Sequence, residues 1–223
     1  REKTASDSSH VAIAVNLEAC IHCNLCVRAC REVQVNDVIG MAFRGHRSKI
    51  VFDQGDLMGA STCVACGECV QACPTGALMA ATLVDEQGVG RSDTLRAVDS
   101  ICPFCGVGCQ LTYQVTDNRI LAVKGRPGPA NESRLCVKGR FGFDYVNSPQ
   151  RLTRPLIRRD DAPKRGDLEL DPKNPLTHFR EASWEEALEL AADGLRAVRD
   201  RDGGSALAGF GSAKCSNEEA YLF

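Results

Sequence analysis

Cysteine spacing constrains this chain more than any other feature of its sequence. Cys20, Cys23, Cys26 and Cys30 are separated by two, two and three residues, and the same run recurs 43 positions on as Cys63, Cys66, Cys69 and Cys73, with Pro74 after the last member. A third set, Cys102, Cys105, Cys109 and Cys136, has gaps of two, three and 26 residues, and Cys215 stands alone. Disulfides need paired geometry and an oxidising compartment. An odd total of 13 cysteines in short regular gaps, with no signal-peptide pattern at the start, fits neither requirement.

The short gaps have a direct physical reading. Three thiolates within seven residues let one turn of chain wrap three corners of an iron–sulfur cubane, after which the loop has no fourth ligand to give. The run is the ferredoxin-type pattern for [4Fe–4S] clusters, in which the last cysteine of each run serves the other cluster. Cys20, Cys23, Cys26 and Cys73 are therefore expected to hold one cluster, and Cys63, Cys66, Cys69 and Cys30 a second. Structural zinc, the competing reading, usually uses two separated pairs of cysteines rather than two four-cysteine runs. His22, between two ligands, is read as a loop residue. In the third set the fourth ligand comes from within the unit, so Cys102, Cys105, Cys109 and Cys136 are expected to complete a cluster alone.

Around these anchors, Val11–Val15 and Lys49–Phe52 read as strands, the latter after a turn at Arg44–Arg47. Residues 85–94 are polar and Gly-containing, which marks a linker. Beyond it, Leu111–Val115 and Ile120–Val123 flank Thr116-Asp117-Asn118-Arg119 as a hairpin, and the Gly/Pro-rich loop Gly125–Pro129 returns the chain to Cys136. Residues 134–165 carry nine Lys/Arg against three Asp/Glu, a net +6 within a chain that totals −2. That stretch is either a solvated surface or a contact for cofactor phosphates or another domain. Asp160–Pro175 reads as an exposed connection. Ser183-Trp184-Glu185-Glu186 is a capping box, and Trp184, Ala187, Leu188, Ala191, Leu195 and Val198 form the apolar face of the helix that follows, ended by Gly203-Gly204. Ser205–Phe210 reads as a buried strand, Gly211-Ser212 as a tight loop and Asn217 as the start of a helix. The near-neutral charge argues against a globally basic nucleic-acid binder. No apolar run approaches the roughly 18–20 residues of a membrane span.

Cys102-Pro103-Phe104-Cys105-Gly106-Val107-Gly108-Cys109 with Cys136-Val137-Lys138-Gly139 resembles the cluster-binding domain of the molybdopterin oxidoreductase family, which includes formate dehydrogenases and nitrate reductases. Ser148–Leu156 is similar to the passage out of that domain, and Phe210–Glu219 to the first cofactor-domain loop of formate dehydrogenases. Two ferredoxin-type clusters upstream match the catalytic (alpha) subunit of the cytoplasmic, NAD-dependent enzymes. The resemblance implies three [4Fe–4S] clusters and a bis(molybdopterin guanine dinucleotide) cofactor with Mo or W. It also implies Lys138 between the Cys102 cluster and the pterin, and Lys214 as a cofactor contact. Cys215 is read as a small loop residue, with the catalytic metal ligand expected beyond Phe223. The chain opens on Arg1 and stops within a promising pattern, so a fragment is expected.

The fold class that follows is α+β. A two-cluster ferredoxin-like domain (residues 1–90) precedes a small β-rich [4Fe–4S] domain (95–157) and the start of an α/β molybdopterin-binding domain (176–223). The expected function is the electron-transfer portion of a formate dehydrogenase, oxidising formate to CO2 reversibly and passing electrons towards NAD. Its expected partners are flavin- and iron–sulfur-containing diaphorase subunits in the cytoplasm, with neither nucleic acid nor a membrane span. The alternatives are the iron–sulfur large subunit of an NADH:quinone oxidoreductase without pterin, or a nitrate reductase.

Overall fold

A computed structural model describes residues 6–85, 90, 95–162 and 174–223. The chain divides into two compact units, Arg1–Asp144 with Ala213–Leu222, and Tyr145–Ser212 with Phe223. In the first unit, β1 (Ile13–Val15) precedes the first cysteine run. Between the runs, β2 (Ile39–Ala42) and β3 (Lys49–Phe52) form an antiparallel pair, and β4 (Leu78–Ala80) follows the second run. β1 and β4 pair antiparallel, Ile13 opposite Ala80 and Val15 opposite Leu78. The strands outside the two runs are thus joined, and this clasps the runs together.

Side-chain alternation places Ile13, Val15, Ile39, Ile50, Phe52 and Leu78 in one core with Met58. Cys26, Cys30 and Cys69 are buried in that same core. Two-stranded ribbons and one-turn helices bury little apolar surface by themselves. Here the sulfurs occupy positions that aliphatic side chains would fill elsewhere.

The second half of this unit is a three-stranded antiparallel meander of β5 (Arg96–Ile101), β6 (Gln110–Thr116) and β7 (Arg119–Gly125). Asp117 and Asn118 link β6 to β7 with φ of 46° and 58°, the paired positive values of a type I′ hairpin. Leu111, Val123, Leu135 and Phe143 pack with Cys102. The buried Asn131 accepts a hydrogen bond from the Gln110 N–H at 3.0 Å, and its amide donates to the carbonyls of Gln110 and Arg134, each at 3.0 Å. This side chain folds the Gly/Pro-rich loop back so that Cys136 reaches its partners. α5 (Asn217–Leu222) begins at the expected residue.

In the second unit, β8 (Leu156–Arg158) pairs with β9 (Phe179–Glu181). α4 (Trp184–Asp202) starts at Ser183, whose hydroxyl accepts from the Glu186 N–H at 3.1 Å. The Glu186 carboxylate turns instead to Arg180, so the capping box is only half closed. The helix stops at Gly203, whose φ of 84° suits a residue without Cβ.

The apolar face of α4 is exposed at Trp184, Leu188 and Leu195, with no element among the described residues covering it. One expectation in this unit is corrected. Ser205–Phe210 is not a strand, since a strand needs a neighbour to satisfy its backbone groups and none pairs with it among the described residues. A 3-10 turn at Gly204–Ala206 takes its place, and Phe210 is 96% exposed. Most of the linker expected at 85–94 and of the connection expected at 160–175 lies outside the described residues. Among the described residues no helix is long and apolar enough to cross a membrane.

Candidate metal-cluster sites

The two cysteine runs adopt the same backbone. His22 and Asn24 have φ of 57° and 61°, and their counterparts Ala65 and Gly67 have 54° and 73°. Left-handed conformation costs a non-glycine residue roughly 1–2 kcal/mol. Three such residues in two short loops is a concentration of strain characteristic of ligand-holding segments. The conformation turns amides towards sulfur: the His22 N–H donates to Cys20 Sγ at 3.4 Å, and the Ala65 N–H to Cys63 Sγ at 3.3 Å. α1 (Leu25–Arg28) and α2 (Glu68–Ala72) then carry Cys26 and Cys69. The last ligand positions differ. Cys30 lies buried in a π-helical turn, Ala29–Val33, whereas Cys73 caps α2 in an extended conformation.

The electrostatic surroundings of each thiol show which sulfurs are neighbours. Burial, then Cys20, Cys73 and Cys23, pushes the Cys26 thiol up to about 11. Burial, then Cys66, Cys63, Cys26 and Cys30, pushes Cys69 up. Cys66 is raised by burial, then by the Glu68 carboxylate, Cys63 and Cys30. Cys63 is raised by burial, by Cys30 and by Asp53. The last cysteine of each run is thus an electrostatic neighbour of the opposite run. Cys73 behaves differently. Burial opposes its ionisation, but the amides of Leu78, Thr75 and Ala77 and the Thr75 hydroxyl outweigh this and lower its pKa.

The third set gathers in the same way. Burial and then Cys136 and Cys105 raise the Cys102 thiol; burial and then Cys102, Cys105 and Cys136 raise Cys109. α3 (Val137–Phe141) follows Cys136 directly. The backbone of Gly139 lies against that set: a Cβ there would stand 3.4 Å from Cys102 Sγ. The loop carrying Lys214 and Cys215 seats on the same cysteine turn, with the Gly106 N–H donating to the Ala213 carbonyl at 2.7 Å. Lys138 and Lys214 are both exposed.

Thiols raise one another's pKa because gathered thiolates repel. A set held together in this way is a high-charge acceptor that cationic iron would relieve. All-sulfur donors select iron–sulfur clusters or zinc over hard cations. Among the described residues no group of three or more His, Cys, Asp or Glu forms a site for one metal ion.

Sequence reasoning missed Arg140. It belongs to the basic stretch read as solvated or phosphate-facing, yet it is 2% exposed. Its Nε donates to the Cys66 carbonyl at 2.9 Å, and its Nη atoms reach Gln71 and Glu68 at 2.5 Å each. The one available sign was an acidic residue, Glu68, placed between two expected ligands.

Comparison with known proteins agrees with this architecture. Residues 19–77 match a 4Fe-4S dicluster domain, 95–148 the Molybdopterin oxidoreductase Fe4S4 domain and 151–223 the Molybdopterin oxidoreductase domain. Most of the chain thus matches molybdopterin oxidoreductase models, with the iron–sulfur domains ahead of the molybdopterin portion. It is 32% identical over 252 aligned positions to "Probable oxidoreductase YjgC" of Bacillus subtilis (strain 168), covering 97% of this chain and 24% of that protein. It is 31% identical over 239 positions to a "Putative formate dehydrogenase" of Staphylococcus aureus (strain USA300), covering 91% and 23%. The chain therefore spans about a quarter of the length of these curated relatives.

Proposed function

We propose that this chain is the electron-transfer portion of a formate dehydrogenase catalytic subunit, with a two-cluster unit at 1–90, a one-cluster unit at 95–157 and a cofactor-binding portion from 176. The observation that carries the reading is the gathering of twelve cysteines into three four-thiol sets beside a loop of the molybdopterin portion. Cys20, Cys23, Cys26 and Cys73, then Cys63, Cys66, Cys69 and Cys30, then Cys102, Cys105, Cys109 and Cys136 would each hold a [4Fe–4S] cluster. Lys138 and Lys214 would hold a bis(molybdopterin guanine dinucleotide) carrying Mo or W. When bound, the pterin-held metal supplies the two-electron interconversion of formate and CO2, and the clusters carry single electrons away.

The chain's residues position and tune. Amides of His22, Ala65 and Thr75 donate to ligand sulfurs, which stabilises added negative charge there. Gly139 lies against Cys102, and Lys138 follows Cys136 of the third thiol set by two residues. Electrons would pass to flavin- and iron–sulfur-containing diaphorase subunits in the cytoplasm, and from them to NAD. The printed name of the Staphylococcus relative supports formate as substrate.

The test is composition and turnover. Anaerobically reconstituted protein should hold about twelve irons, and the complete enzyme should contain Mo or W and oxidise formate. Eight irons or fewer would remove the third cluster. Absence of both metals would favour the pterin-free NADH:quinone oxidoreductase subunit, and turnover of nitrate but not formate a nitrate reductase.

A further inference from the structure

The two cysteine loops share ligand spacing and backbone, but not the residues between their ligands. At an offset of 43, Asn24, Leu25 and Arg28 in the first loop become Gly67, Glu68 and Gln71 in the second. In the first loop these positions meet solvent: Leu25 is 40% exposed, and Arg28 pairs with Glu32 on the surface. In the second, all three turn to Arg140. A Cβ on Gly67 would lie 2.4 Å from Arg140 Cδ, so only glycine leaves the guanidinium its path. Glu68, 7% exposed, accepts from Arg140 Nη2 at 2.5 Å and from the Leu135 N–H at 3.1 Å. Gln71 accepts from Arg140 Nη1 and from the Gly125 N–H at 2.8 Å, and donates to the Ser133 carbonyl at 3.1 Å. From the other side, the Arg140 N–H bonds the Cys136 carbonyl at 3.0 Å, and neighbouring Gly139 abuts Cys102 Sγ. One short helix thus touches a ligand of the third set and, one residue later, the backbone of a ligand of the second.

We propose that Arg140 and Glu68 form a buried charge couple that docks the third cysteine unit onto the Cys63–Cys69 loop and sets the reduction potential of the cluster held there. That cluster is then the relay between the third set and the set of Cys20, Cys23, Cys26 and Cys73, whose loop faces solvent and serves as the exit. This rests on the three-cluster reading given under Proposed function. Arg140 is a positioning residue: its cation acts through Cys66 and touches no reacting atom.

The sign follows from charge. A reducible cluster gains one negative charge, so a nearby cation favours reduction and a nearby anion opposes it, most strongly where water is excluded. The intact pair largely cancels, and removing one member unmasks the other.

The test uses the complete chain purified anaerobically with its clusters, titrated with a reductant and followed by electron paramagnetic resonance. Glu68→Gln keeps the acceptor for the Leu135 N–H and should make one of the three clusters easier to reduce. Arg140→Gln should make that cluster harder to reduce. Each shift should be about tenfold in the reduced-to-oxidised ratio at fixed potential, equal to about 59 mV for a one-electron couple. Arg140→Lys keeps the charge without the fork and should stay near the unmodified protein. A merely structural pair would not give opposite signs. Shifts of the same sign in the two Gln variants, or no shift in either at full iron content, overturn the proposal. Should Arg140→Gln lose iron, Glu68→Gln and Arg140→Lys still decide the question. Fewer than three clusters in the unmodified protein would instead sink the underlying reading.

Discussion

Set side by side, the loops at 20–30 and 63–73 share four cysteine positions and two left-handed residues, yet do different work in the fold. The first leaves Asn24, Leu25 and Arg28 facing solvent, where the Arg28–Glu32 pair, with both partners more than half exposed, is worth a fraction of a kcal/mol. The second turns Glu68 and Gln71 into a dry junction with Arg140, where breaking a paired charge costs several times more. Ligand spacing is common to both because a cubane imposes it; the residues in the gaps are free to vary. What the gap residues meet decides which loop joins Arg140 and which meets solvent.

The largest effect should separate the crossed pair from the self-contained set. Cys73→Ala or Cys30→Ala removes the ligand that each run lends to the other, within a core shared by both. Iron content should fall by about four to eight per chain. Cys136→Ala should cost about four, leaving the other two clusters by resonance spectroscopy. Loss of all iron in Cys136→Ala would break the independence of the third unit.

Next comes one position in two loops. Gly67→Ala places a methyl on Arg140 Cδ at a left-handed position and should destabilise by about 2–4 kcal/mol. Asn24→Ala, its counterpart facing solvent, should cost only about 1 kcal/mol, from the loss of a residue tolerant of left-handed backbone. Urea-induced loss of the visible cluster absorbance measures both, and equal costs would erase the distinction between the loops. A smaller gain is expected for Ala65→Gly. Relief of the left-handed strain, about 1 kcal/mol, is partly offset by greater freedom of the unfolded chain, and the midpoint should rise slightly.

A further effect lies away from both loops, at Asp7. Burial would raise this carboxyl, but hydrogen bonds from Ser9 and the Met58 N–H, with the nearby His10, outweigh it and hold the pKa below its ordinary value. A depressed carboxyl stabilises the fold above its unfolded pKa, near 3.9, and loses that contribution only as pH falls through the lower folded value. Asp7→Asn should therefore cost on the order of 1 kcal/mol, no less at pH 5 than at pH 7. A gap that has closed by pH 5 would contradict the lowered pKa.

Much of this was legible in the residues because the signals were local. Lys49–Phe52 alternates and forms β3 over those four residues. The Asp117-Asn118 turn closes its hairpin, and Ser183 caps α4. Non-local features were not legible. Ala65 carries no sign of its left-handed φ. Asn131 looked like any loop polar residue until the return path to Cys136 gave it four backbone groups to meet. The stripe on α4 was legible as apolar but not as exposed, because periodicity reports a face and not what lies against it.

The sequence by itself determined the number of cysteine sets, their spacing and the donor chemistry, since ligand reach within a loop is a matter of a few residues. Only the tertiary structure decided that Glu68 is buried between two of those cysteines, and that a basic stretch sends one arginine inward to it and to the Cys66 carbonyl. Both depend on contacts between residues far apart in the chain, where the same carboxylate or guanidinium could have met water. Burial selected the partner in each case.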